Sequence, residues 1–243
     1  CSWATYANGK DQPIISENNE MVSDVEFSAT FSDLLTESNI PGAQLALFDD
    51  KGVFYQQSFG LQDIVNKTPV DDTTLFRAGS TTKTFVALAV MQLVNQGKLS
   101  LDDKVIELMP EVNIVNPWQD NAPVRVIHLL EHTAGFDDMH FRNAYNVNNE
   151  KISALDGVNR DSASIVVRWQ PGTRHSYANP GYGILGHLIE KMSGQNYEDY
   201  VNQNILQPLN MSESDTRYNA SIATQLSNGY NNNVAVPYKS IYL

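Results

Sequence analysis

Apolar residues at helical spacing (Val25, Phe27, Phe31, Leu34 and Leu35) predict a first helix over residues 24–38, and Pro41-Gly42 ends it. Ala43–Phe48 and Val53–Phe59 read as strands joined by the turn Asp49-Asp50-Lys51-Gly52, a β-hairpin. Leu75–Ala78 is a short extended piece broken by Gly79. From Ser80 a helix runs to about Gln96, with Gly97 as its C-terminal stop. Its residues Phe85, Val86, Ala87, Leu88, Ala89, Val90, Met91, Leu93 and Val94 are apolar almost all round, which predicts a helix at the centre of the fold. Beyond residue 98 the signals are mostly helical: Val124–His132, Pro180–Met192 and Tyr197–Leu206, with Gly194 between the last two. The tail from Asn219 to Leu243 is Asn-rich and carries no clear pattern. These elements predict an α+β class, divided into a flexible leader at 1–22, an α/β part at 23–97 and a mainly helical part at 98–243.

A chain of 243 residues can bury a real core, and 42% hydrophobic with 18% charged residues is globular composition. The formal charge of −12 argues against nucleic acid and anionic lipid as partners. No run of about eighteen apolar residues predicts a membrane-spanning helix. Cys1 is the single cysteine, so no internal disulfide is expected. A chain that begins at Cys rather than Met fits a processed lipoprotein with a lipid on Cys1 and a polar tether from Ser2 to about Glu20. That reading predicts a periplasmic or cell-envelope location; an arbitrary starting point is the alternative.

Candidate chemistry begins at Ser80 and Lys83, three residues apart and on one face of the predicted helix. A serine hydroxyl is a weak nucleophile until a base takes its proton, and a lysine in apolar surroundings can be that base. The helix N-terminus adds a backbone N–H and a positive dipole end for an oxyanion. A capping serine beside a solvated lysine is the bland alternative. The second constellation, Trp169-Gln170-Pro171-Gly172-Thr173-Arg174-His175-Ser176-Tyr177-Ala178-Asn179-Pro180-Gly181, frames Tyr177 and Asn179 between two Pro-Gly pairs ahead of a helix. A phenol beside an ammonium can relay a proton, and Asn179 can donate to a substrate carbonyl while accepting from Lys83. Tyr-x-Asn also occurs at Tyr6 and Tyr230, so the Pro/Gly frame is what selects Tyr177.

Leu75 to Phe85, Gln92 to Asp103, Val126 to Phe136 and Tyr177-Ala178-Asn179 together resemble the motifs of the class C β-lactamases, serine D-Ala-D-Ala carboxypeptidases and related esterases, in the right order over about residues 25–215. The resemblance implies a helix-flanked antiparallel sheet with a mainly helical second domain. It also implies hydrolysis through an acyl-enzyme, without metal or organic cofactor. Ser80 matches the nucleophile, Lys83 and Tyr177 the general-base pair, and Asn179 the polar substrate-binding residue. Ala134 stands where relatives usually carry Ser, which favours an esterase or peptidase-like hydrolase over an efficient β-lactamase. A third family motif, Lys or His followed by Thr/Ser and Gly on a late strand, is not found after Tyr177. The C-terminal strands of the sheet domain are therefore expected from a longer chain or a companion polypeptide, and residues 1–243 alone are expected to be unstable and inactive.

Two rivals remain open at this point. His128-Leu129-Leu130-Glu131-His132 could bind zinc from one helix face with Glu131 as base, a metallopeptidase. A catalytically impaired binding module on the same fold is the other. Trp118, Phe136, Phe141, Tyr145, Trp169 and Tyr182 are candidates for an apolar substrate wall, and 137–168 for a lid.

Overall fold

The computed structural model describes residues 14–15, 21–140, 145–146, 152–236 and 240–241. Cys1, most of the leader, and Phe141 lie outside the described residues, as does the Tyr145 side chain. In chain order the elements are β1 (Ile14–Ile15), β2 (Met21–Val22), α1 (Asp24–Glu37), β3 (Gly42–Asp49), β4 (Gly52–Asp63) and β5 (Thr68–Pro69). There follow α2 (Thr82–Asn95), α3 (Val105–Leu108), α4 (Val126–Leu130), β6 (Tyr145–Asn146) and α5 (Ala154–Arg160). The rest are α6 (Asn179–Ser193), α7 (Tyr197–Val201), α8 (Ala220–Ala223), β7 (Gly229–Asn231), β8 (Val234–Val236) and β9 (Ser240–Ile241). β1 pairs antiparallel with β2, so part of the expected leader is a small ladder.

Among the described residues, those up to Arg77 and those from Met211 to 236 form one compact unit, and Ala78–Asn210 form a second. The expected division at 97/98 therefore differs from the one observed: α2 belongs with the helical residues, and 211–236 belong with the hairpin.

In the first unit α1 begins at Ser23, whose hydroxyl accepts the Glu26 N–H. Phe27 meets Tyr55 edge-on at 5.2 Å between ring centroids, and Phe31 meets Phe59 at 4.8 Å, which docks α1 on β4. β3, β4 and β5 make an antiparallel sheet in that order. Gly60 has φ +67°, and a Cβ there would lie 2.1 Å from the Pro41 carbonyl oxygen, so only glycine fits where α1 turns into β3. The patternless tail is placed by pairing: Leu75 donates to Gln225 O and accepts from Ser227 N, and the Tyr230 hydroxyl accepts the Ile64 N–H.

In the second unit Val86, Ala89, Val90 and Leu93 of α2 are buried, as are Ile184, Leu185, Leu188 and Ile189 of α6 and Tyr200, Val201 and Ile205 further on. α2 packs on α6 and α7. Leu88 is 42% and Met91 43% exposed, on the side of α2 that does not meet α6 and α7 among the described residues. α6 packs on α4, with Gly181 beside Leu129. Phe136, a candidate for the apolar wall, is 1% exposed and is core instead.

Candidate active site

Every residue of the site lies in the second unit. Gly79, at φ +54°, turns the chain sharply into a 3-10 turn, Gly79–Thr81, that leads into α2. Ser80 is in this turn and not at the helix cap, and its hydroxyl is exposed. Its Oγ lies 2.7 Å from Tyr177 Oη and 3.4 Å from Lys83 Nζ. The Ser80 main-chain N–H makes no hydrogen bond among the described residues.

Lys83 sits on the first turn of α2, and its ammonium donates to Asn179 Oδ1 at 2.6 Å. It also lies 4.8 Å from the centroid of the Tyr177 ring and 5.4 Å from that of Tyr182. Ala178 is extended (φ −147°, ψ 116°), so its neighbours Tyr177 and Asn179 reach out on the same side. Asn179 then opens α6, with Pro180 setting the backbone for the first turn.

The Tyr177 segment is tied to the end of α4. Gly172 N–H donates to Thr133 O at 2.9 Å, and Ser176 N–H to His132 O at 2.8 Å. His132 has φ +56°, and its Nδ1 accepts the Ala178 N–H at 3.2 Å. The imidazole stacks against Tyr177 at 4.4 Å and Tyr182 at 5.1 Å. Burial, then the charges of Lys83 and His175, push His132 below the ordinary histidine range, so it is the neutral ring that accepts the Ala178 N–H. Tyr182 donates to Leu130 O at 3.0 Å, and burial, with Tyr177 alongside, pushes its phenol up.

Asp138 accepts from both the main chain and the side chain of Asn179, at 3.0 and 2.9 Å. Burial pushes its carboxyl up, but the N–H groups of Asn179 and Met139, the Asn179 amide and the Lys83 charge outweigh that and hold it below the usual carboxylate range. Asp137, Asp138, Met139, His140 and Asn179 line an open cavity of about 440 Å³.

The sequence-derived candidates Ser80, Lys83, Tyr177 and Asn179 are thus brought within hydrogen-bonding reach of one another. The zinc alternative fails on geometry. α4 ends at Leu130, His132 has left the helix in a left-handed conformation, and both Nδ1 atoms accept main-chain N–H groups, from Arg125 and Ala178. No group of three or more His, Cys, Asp or Glu side chains able to hold a metal occurs among the described residues. His132 and Asp138 were missed as partners of the site. The first was visible as part of H-x-x-E-H, but nothing in sequence marked the second.

A serine hydroxyl shared between a phenol and an ammonium, on a turn entering a helix with one buried side, can run acyl transfer without a metal. The chain belongs to the beta-lactamase family, whose model matches residues 27–242; members are typically serine hydrolases. It is similar to the octameric penicillin-binding protein homologue from Pyrococcus abyssi, with a TM-score of 0.73 and 30% identity, over 88% of this chain and 50% of that one. It is 29% identical to Protein flp of Staphylococcus aureus (strain MRSA252), over 81% of this chain and 39% of that protein. A beta-lactamase of Yersinia enterocolitica is also 29% identical, over 83% of this chain and 49% of that protein. The chain spans half or less of the length of these relatives.

Proposed function

We propose that the protein is a serine hydrolase that acts through an acyl-enzyme on ester or amide bonds, with Ser80 as nucleophile. The observation that carries this is the 2.7 Å contact between Ser80 Oγ and Tyr177 Oη. In this reading Tyr177, as phenolate, takes the Ser80 proton as Oγ attacks the substrate carbonyl carbon. The Lys83 ammonium beside the ring stabilises the phenolate, and Asn179 Oδ1 holds the ammonium in place. The Ser80 N–H serves as one donor to the oxyanion. As the tetrahedral intermediate collapses, the carbon–leaving-group bond breaks and the phenol returns the proton to the leaving group. Water then repeats the sequence: Tyr177 takes its proton, the ester to Ser80 breaks, and Oγ regains a proton. An esterase or peptidase-like activity is favoured over an efficient β-lactamase by the residue type at position 134, Ala where relatives usually carry Ser.

The test is labelling of the full-length protein with a fluorophosphonate, followed by intact mass and peptide mapping. One adduct on Ser80, lost in S80A, supports the reading. A folded protein that takes no adduct, yet binds a β-lactam reversibly, refutes it in favour of a binding module.

A further inference from the structure

Asp138 lies 41 residues from Asn179 in sequence, yet its Oδ1 accepts the Asn179 N–H at 3.0 Å and the Asn179 Nδ2 at 2.9 Å. The same oxygen accepts the Met139 N–H at 2.8 Å. On its other side the Asn179 amide presents Oδ1 to Lys83 Nζ at 2.6 Å. A carboxylate can only accept and an ammonium can only donate. The amide between them therefore has one satisfied orientation. Turned over, it would set an NH2 group against the ammonium and an oxygen against the carboxylate. The terminal torsion of asparagine is broad and two-fold, so the backbone of α6 does not by itself make this choice.

Asp138 is not a loose surface charge. Asp137 N–H donates to Ser164 O at 3.0 Å, and the Asp137 carboxylate pairs with Arg168 at 2.9 Å. His140 donates its N–H to Asp161 Oδ2 at 2.7 Å and sets Nδ1 2.9 Å from Oδ1 of the same carboxylate, which is 4% exposed. The loop is thus fastened on both sides of Asp138, and the carboxylate is held against Asn179. We propose that Asp138 is a positioning residue: through Asn179 it fixes the amide whose oxygen holds Lys83 beside Ser80 and Tyr177. The inference rests on the hydrolase reading, because the task it assigns is to place that reading's ammonium.

A purely structural role exists, since a carboxylate at the start of α6 also stabilises the helix N-terminus. A double-mutant cycle in the full-length protein separates the two, with D138A, N179A and both together. The second-order rate of Ser80 labelling by a fluorophosphonate is the readout, with thermal melts alongside. Acting through Asn179, D138A lowers the rate by about tenfold in the native background and by less than about twofold in N179A, a coupling typical of residues in contact. An equal loss in both backgrounds, or no loss in either, overturns the proposal. The Asn179 side-chain amide protons, assigned with N179A, provide a readout that needs neither activity nor a folded D138A. Slow hydrogen exchange in the unmutated protein is expected, and exchange at the rate of a free amide overturns the proposal. An unmutated protein that fails to label counts against the hydrolase reading alone, and amide exchange then decides this one.

Discussion

Replacing Tyr177 with phenylalanine removes a single oxygen, the one 2.7 Å from Ser80 Oγ, and leaves the ring that stacks on His132 at 4.4 Å. Tyr177 is 42% exposed, so the loss of its hydroxyl should change folding stability by no more than about 0.5 kcal/mol. Its effect on chemistry should be far larger. A positioned proton acceptor contributes roughly 10²–10⁴ in rate, which is about 2.7–5.4 kcal/mol of activation free energy. The assay is rapid mixing of full-length Y177F with a fluorophosphonate, following the fraction of protein shifted in mass. Fluoride leaves without needing a proton, so this reagent isolates removal of the Ser80 proton. An ester with a poor leaving group should suffer more, because Tyr177 must also return the proton. The rival base is Lys83, 3.4 Å from the same oxygen. If Y177F labels within about twofold of the native rate, where a positioned base should cost at least about a hundredfold, the proton goes elsewhere and the assignment to Tyr177 is refuted. A slow variant that melts with the native protein places the loss in chemistry and not in folding.

The remaining predictions concern the scaffold of the same site. His132 is held below its ordinary pKa in the folded protein, so below about pH 6.5 the unfolded chain binds more protons and stability should fall as pH is lowered. H132N tolerates the positive φ and does not titrate; the stability gap between native protein and H132N should shift against the native protein from pH 7 to 5, and a gap constant across that range would refute the reading. G135A should destabilise by more than about 1 kcal/mol and slow labelling, because Gly135 has φ +87° and a Cβ there would lie 2.7 Å from Trp169 O; an unchanged melt would count against it. Treatment with EDTA should leave Ser80 labelling unchanged, whereas loss of activity restored by zinc would revive the set His128, Glu131 and His132.

Local pattern carried much of this protein. The spacing of Phe27, Phe31 and Leu35 specifies α1, and the alternation either side of Asp49-Asp50-Lys51-Gly52 specifies the hairpin, because helical and strand periods are properties of neighbouring residues. Ser80 and Lys83 were legible for the same reason: three positions on one helical turn must face alike. Tyr177 and Asn179 were legible as a pair because one extended residue separates them. Their approach to Ser80, about a hundred residues away, depends on the packing of α2 on α6, which only the assembled core decides. His132 could be read in sequence as a helical metal ligand. Tertiary hydrogen bonds from Ser176 and Ala178 made it instead the neutral wedge behind Tyr177. Asp138 had no signature at all, because a carboxylate that orients an amide needs only to be near it, and nearness across a fold leaves no period or spacing along a chain.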